Sequence, residues 1–189
     1  MDTPVVLDGS RGEGGGQILR TGLALCGLTR RPLEIAHIRS GRQKPGLAAQ
    51  HLTGVRAVAR VTDGTVEGAE LGSQELRFVP GPIRGGDFTL DVSEVQASAG
   101  SVGLLFQAVL PVLAFAPGPS KLTLKGGTHV NWAPPLHYLR DALLPALRMA
   151  GLWADIDIET WGWYPEGGGV ATARIRPVIE LRPVRLVAR

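Results

Sequence analysis

Asp8-Gly-Ser-Arg-Gly-Glu-Gly-Gly-Gly-Gln-Ile-Leu-Arg20 is the stretch around which the chain reads. Val5, Val6 and Leu7 form a short β-branched run before it, and Ile18, Leu19, Leu23 and Leu25 give an apolar helical face after it, so the segment predicts strand, glycine turn, helix. Glycines let an anion approach the main chain, and the start of a helix presents free N–H groups at the positive end of its dipole, so phosphate is the ligand this turn suits. Two familiar phosphate motifs are excluded. Gln17 stands where a dinucleotide fingerprint needs its last glycine, and no Lys-Ser or Lys-Thr follows to make a P-loop. A plain tight turn is the other reading of these residues.

Beyond Arg30-Arg-Pro32, Leu33-Glu-Ile35 with Ile38 alternates as a strand and delivers Arg39, Arg42 and Lys44 to a loop. A helix is expected from Leu47 to about Val61, with Leu52, Val55 and Val58 facing inward and Gln50 and His51 near its start. Three short runs, Val66-Glu-Gly, Glu75–Val79 and Phe88–Val92, then read as an antiparallel edge with hairpin turns. Displacing the chain on itself by about 89 residues brings Leu33 and Ile35 onto Leu122 and Leu124, Pro45 onto Pro134, and Val55 onto Leu144, and sets the helix of Ile18–Leu28 against Gln107–Pro117. The chain is therefore read as α/β (α+β), two tandem β-α-β-α-β-β units, about 1–92 and 93–180, packed as one body over 1–189.

In the second unit, Leu110-Pro111 and Leu144-Pro145 remove helical N–H groups, so both helices are expected to kink and Gln107 to stand beside a freed carbonyl. Between them, Lys125-Gly-Gly-Thr-His-Val-Asn-Trp-Ala-Pro-Pro135 replaces the basic loop with a rigid apolar wall suited to stacking on a flat base. Trp161–Gly169 reads as hairpin chemistry before a last strand, Val170–Ile175.

Composition is that of an ordinary globular chain, 44% hydrophobic, with a formal charge of +3 that permits an anionic partner without specifying one. The single Cys26 makes an intrachain disulfide impossible and suits a reducing compartment. The longest apolar stretch, Leu104–Pro117, is interrupted by Gln107 and Pro111 and falls short of a membrane span, and Met-Asp-Thr-Pro lacks the features of a signal peptide. No membrane partner and a cytoplasmic location are expected.

In order, Asp8-Gly-x-x-Gly-Glu-Gly-Gly-Gly-Gln-Ile-Leu-Arg20, Lys44-Pro-Gly-Leu-x-x-Gln-His-Leu52, Val66-Glu-Gly-Ala-Glu-Leu-Gly-Ser-Gln74, Gly126-Gly-Thr, Ala133-Pro-Pro135 and Tyr164-Pro-x-Gly-Gly-Gly-Val170 resemble the RNA 3'-terminal phosphate cyclase family over nearly the whole chain. That resemblance implies ATP and Mg²⁺ or Mn²⁺ as cofactors and RNA 3'-phosphate ends as partners. The implied reaction converts a 3'-phosphate to a 2',3'-cyclic phosphate through an adenylylated histidine and then an adenylylated RNA end. It also implies an inserted domain and a third unit bearing the nucleophilic histidine. Neither matches anything in these residues, so a truncated form without a catalytic nucleophile is expected, with self-association through core surface left uncovered.

On the resemblance, Gln107, Gln17 and Pro134 are expected at the nucleotide, and Arg20, Arg42, Lys44, Gln50 and His51 at the RNA phosphate. Glu13, the carboxylate inside the glycine turn, is expected to hold the metal against phosphate oxygens, its plainer role being that of a carboxylate near a helix N-terminus. A catalytically inactive cyclase-like protein that binds RNA or nucleotide in RNA processing is the alternative.

Overall fold

In the computed structural model, which describes residues 3–96, 99–185 and 187, the glycine turn joins strand β1 (Val5–Asp8) to helix α1 (Gln17–Thr29). Strand β2 (Leu33–Ala36), helix α2 (Ala49–Val61), β3 (Thr65–Glu67) and β4 (Leu76–Val79) follow. The sheet order is β1-β2-β4-β3, with β1 and β2 parallel and the other pairs antiparallel. The same programme then recurs. Strand β5 (Gly86–Asp91), helix α3 (Val102–Leu113), β6 (Ser120–Gly126), a second helical segment, β7 (Ala154–Thr160) and β8 (Gly169–Ile175) form a sheet ordered β5-β6-β8-β7, with the same parallel and antiparallel senses.

The repeat is exact in topology and uneven in length. Leu33 pairs with Val5, and Leu122 with Phe88, so the offset is 122 − 33 = 89 at the second strand of each unit but 88 − 5 = 83 at the first. A longer return from helix to strand, Ala114–Pro119 against Arg30–Pro32, accounts for part of that drift. Two sequence expectations change accordingly. Phe88 lies in the first strand of the second sheet, not on an antiparallel edge of the first, because its run pairs in parallel with β6; and α3 begins at Val102, so Gln107 sits mid-helix and Pro117 outside it.

Helix α3 is the centre of the body. Among its residues only Gln107 and Pro111 are not fully buried, and a helix apolar on every side must be packed on every side. It contacts α1, α2 and β6, and one continuous core, including Phe78 and Phe106, links both sheets. The apolar stretch that fell short of a membrane span is thus the shared core helix; among the described residues no helix is long and apolar enough to cross a membrane.

The two Leu-Pro steps are accommodated differently. Pro111 lies inside α3 two residues before its end. In the second helical segment, α4 (Leu136–Tyr138) runs through a π turn, Leu139–Leu143, into α5 (Leu144–Met149), with Pro145 in the first turn of α5. The wider turn takes up the missing hydrogen bond.

The outer faces of the sheets are polar. Arg77 bridges Glu34 at 3.4 Å and Glu67 at 3.5 Å on the first, and Lys121, Lys125, Asp155 and Asp157 stand exposed on the second. Exposed large apolar side chains occur mostly on loops, and within the elements at Val6 of β1, Leu25 of α1, Val79 of β4, Tyr138 of α4 and Met149 of α5.

Candidate functional site

Parallel pairing of β1 with β2 sets Asp8 beside Ala36, so the loops that leave these strands emerge together. Gly9 N donates to Ala36 O at 2.8 Å and Gly41 N to Gly14 O at 3.2 Å, which zips the glycine turn to the basic loop. Asp8 fixes the turn's entry: its Oδ1 accepts from Ser10 N at 3.0 Å, Ser10 Oγ at 2.7 Å and His37 Nδ1 at 3.0 Å. The two Ser10 bonds, and then that from His37, hold the Asp8 carboxyl down at about 2. The far side of the basic loop is tied by Arg39 Nη1 to Gly46 O at 2.6 Å and by Leu47 N to Ser73 O at 2.9 Å. That last bond keeps Leu47 out of the helix expected to start there, and α2 begins at Ala49.

Close approach explains two of the glycines. A Cβ on Gly15 would lie 2.8 Å from Arg42 Nη2, and one on Gly16 would collide with the His51 imidazole. Both backbones have ordinary negative φ, so the glycines serve proximity rather than an unusual conformation.

The result is a cavity of about 650 Å³ lined in the first unit by Glu13, Gln17, Arg20, Arg39, Arg42, Gln50 and His51, and in the second by Leu104 and Val130–Ala133. A neighbouring cavity of about 390 Å³ shares Gln17, Arg20, Leu104 and Trp132 and extends to Gln107, Pro111 and Pro134. Together they form one groove between α1 and the second unit, within the size range of small-molecule sites. Gln50 couples the units directly, since its Oε1 accepts from Ser101 N at 2.8 Å, the residue that caps α3.

Charge in the groove is one-sided. Arg20, Arg39 and Arg42 face a single carboxylate, Glu13, which pairs with Arg42 at 2.9 Å. Burial pulls the Arg20 guanidinium below its usual range, and burial together with Arg42 does so for Arg39, the mark of cations lacking a full set of counter-charges. His51 goes further: desolvation first, then Arg39, Arg20 and Arg42, push it down to about 3, so it is neutral at physiological pH. Its Nδ1 is buried with no hydrogen-bond partner, and its Nε2 lies over Gly16.

Two helix N-termini open on the same space. Neither α1 nor α2 has a side-chain cap or an acidic residue in its first turn, whereas α3 is capped by Ser101 Oγ on Leu104 N at 3.2 Å. Uncapped N–H groups beside three arginines call for an anion with several oxygens. A larger depression of about 930 Å³, at Arg148, Trp153, Arg176 and Arg182, lacks this character: Arg148 is spent on Asp155 at 3.3 Å and Arg182 on Glu180 at 3.4 Å.

Of the expected residues, Glu13, Gln17, Arg20, Arg42, Gln50 and His51 line the main cavity and Gln107 and Pro134 the adjoining one. Lys44 stands exposed on the loop and lines neither. Arg39, read from sequence as a loop cation but assigned no ligand, also lines the main cavity, as does Trp132, which was not singled out from sequence. Among the described residues no group of three potential metal-ligating side chains occurs.

The model of the RNA 3'-terminal phosphate cyclase family matches residues 11–187. A protein named RNA 3'-terminal phosphate cyclase from Methylococcus capsulatus is 54% identical over 166 residues, covering 86% of this chain and 46% of that protein. Proteins of the same name from Trichormus variabilis and Methanothermobacter thermautotrophicus are each 48% identical, over 97% and 96% of this chain and 53% and 52% of their own lengths. The chain spans about half the length of the curated relatives it matches.

Proposed function

The chain belongs to the RNA 3'-terminal phosphate cyclase family, and on that premise we propose that its groove is the ATP and RNA-end site of an enzyme that converts an RNA 3'-phosphate to a 2',3'-cyclic phosphate. The observation that carries this reading is the convergence of Arg20, Arg39 and Arg42 with two uncapped helix N-termini. Guanidinium groups take phosphate oxygens in pairs, and the helix N–H groups add donors that need no reorganisation. Arg20, Arg42, Gln50 and His51 hold the phosphate of the RNA end, Arg39 joins them, and Lys44 contributes from the loop outside. Gln17, Gln107 and Pro134 take the nucleotide, with the base against the Pro134 wall.

His51 at about 3 offers phosphate a neutral partner rather than a third type of cation. A bound anion stabilises the protonated ring, so binding draws a proton toward His51 as pH falls.

Glu13 fits a divalent cation in one mode only. Mg²⁺ is held through one or two carboxylates with phosphate oxygens and water completing its shell, and Glu13 is the one carboxylate lining the cavity. Its exposed pair with Arg42 is a weak restraint, ~0–1 kcal/mol. The ion supplies charge neutralisation of the triphosphate when bound.

A second reading, a nucleotide- and RNA-binding chain without cyclase chemistry, is favoured by the histidines. His37 is engaged by Asp8, His129 and His137 by each other, and His51 alone lines the groove. ATP labelled on the α-phosphate separates the readings: retention of that label on a filter, and of labelled RNA with a 3'-phosphate but not a 3'-hydroxyl, is expected, with no band on a denaturing gel. Equal retention of RNA with a 3'-phosphate and with a 3'-hydroxyl would refute the site. A covalent band lost in His51→Ala would make His51 the nucleophile and overturn the expectation of no adenylate on this chain. Self-association rests on the exposed apolar loop residues and Leu25, and a cytoplasmic location and a role in RNA processing follow from the substrate class.

A further inference from the structure

Three of the chain's four tryptophans, Trp132, Trp161 and Trp163, stand exposed on two facing loops of the second unit, and none belongs to the core. The loops are clamped at Thr128. Its Oγ accepts from Gly162 N at 2.9 Å and donates to Gly162 O at 3.1 Å, and Thr128 N and His129 N also donate to Gly162 O, each at 2.9 Å. With its hydrogen spent, Thr128 Oγ accepts from His129 Nδ1 at 2.9 Å, which leaves His129 Nε2 to accept from His137 Nδ1 at 2.8 Å. Burial and His137 hold the His129 pKa below its usual range, consistent with a neutral ring. Around it, Trp163 tilts at 31° with centroids 4.5 Å apart, Trp161 meets it edge-on at 4.9 Å and His137 stacks at 5.0 Å.

This is an ordered aromatic surface with an open side, Trp163 being 59% and Tyr164 69% exposed. Packing does not require it, since its outward faces bury nothing. It adjoins the loop that walls the arginine cavity: His129, against which Trp163 packs, is three residues from Trp132, at most ~11 Å of chain, or about three nucleotides stacked ~3.4 Å apart. Cations that take a phosphate, with rigid rings a few nucleotides away, are the two elements by which unpaired nucleic acid is held.

We propose that Trp163, flanked by Trp161 and Tyr164, is a stacking platform for the unpaired bases that precede an RNA 3'-phosphate seated among Arg20, Arg39 and Arg42. The proposal rests on the reading of that cavity as the RNA-end site. Because stacking is indifferent to base identity, the platform recognises single-strandedness near the end rather than sequence.

Fluorescence anisotropy with 3'-phosphorylated oligoadenylates of one to six nucleotides tests it, adenosine 3'-phosphate serving as the one-nucleotide competitor. Affinity is expected to rise to about four nucleotides and then level, as the platform fills. Trp163→Ala is expected to weaken the four-nucleotide RNA roughly 5- to 150-fold, the loss of one stacked base, while adenosine 3'-phosphate competes as before. That unchanged competition also reports a folded protein, and Trp163→Phe is expected to recover most of the affinity. Wild-type binding of the four-nucleotide RNA by Trp163→Ala, or an equal loss for adenosine 3'-phosphate, would overturn the platform, leaving the aromatic surface to a polypeptide partner. Adenosine 3'-phosphate binding no better than adenosine would instead refute the phosphate cavity, and the platform with it.

Discussion

Gly16→Ala isolates the contact on which the glycine turn depends. At φ −81° and ψ −5° the Gly16 backbone is one that alanine adopts without strain, so on local grounds the change is near neutral. Gly→Ala at a compatible site stabilises by about 0.4–1 kcal/mol through the unfolded chain, and alanine is a poorer N-cap than glycine by a similar amount. What decides the outcome is the imidazole of His51, which occupies the space a Cβ would need. His51 cannot retreat without cost, because its Nδ1 is already buried and Arg20, Arg39 and Arg42 surround it. Inserting a methyl into so filled a site costs about 1–3 kcal/mol, or about 2–4 °C in Tm per kcal/mol for a chain of this size. In the His51→Ala background the space is open and Gly16→Ala is expected to fall within about 1 kcal/mol of neutral, so the cycle returns a coupling of about 1–3 kcal/mol. Urea titration of the four proteins measures it, and phosphate or pyrophosphate affinity of the single variant is expected to drop as the turn shifts. Equal destabilisation by Gly16→Ala in both backgrounds would refute the steric argument.

Three further outcomes are expected. His51 binds its proton only near pH 3 in the folded chain and at an ordinary 6.5 when unfolded; the unfolded state therefore takes up a proton that the native state refuses, and stability falls as pH drops through that window, by up to ~1.4 kcal/mol per pH unit. Urea midpoints at pH 7, 6 and 5 are expected to converge toward a flat line in His51→Gln, and an unchanged slope would discard the assignment; Asp8, held at about 2, loses its contribution only below the usual carboxylate range. Glu13→Gln removes the cavity's only carboxylate and is expected to tighten metal-free pyrophosphate binding while abolishing the gain that Mg²⁺ gives ATP; unaltered metal dependence would end its metal role. Phe106→Ala, in the helix common to both units and fully buried, is expected to cost about 3–5 kcal/mol and lower one shared unfolding transition, whereas two separated transitions by circular dichroism would contradict the single core.

Much of the fold was legible in local chemistry. The β-branched run, glycine turn and apolar period around Asp8–Arg20 determined strand, turn and helix, and the recurrence of that order determined two like units, because periodicity and turn residues act over a few neighbours. The same glycines and arginines pointed to phosphate. What lay beyond them was set by pairing between distant segments. Phe88 is apolar in the manner of any strand, and only its register with Leu122 assigns it to the second sheet. The stretch at Leu104 gave no sign, by hydropathy alone, of being a core helix shared by both units, since burial on all sides is a property of its neighbours. Arg39, Arg42 and Lys44 read alike as loop cations, yet the bonds of Arg39 to Gly46 and of Arg42 to Glu13 turn two of them to the groove and leave Lys44 outside it. His51 carries nothing in its sequence context to lower its pKa; that required burial under the glycine turn and three arginines brought from helix α1 and the basic loop, an electrostatic fact that exists only once the chain has folded.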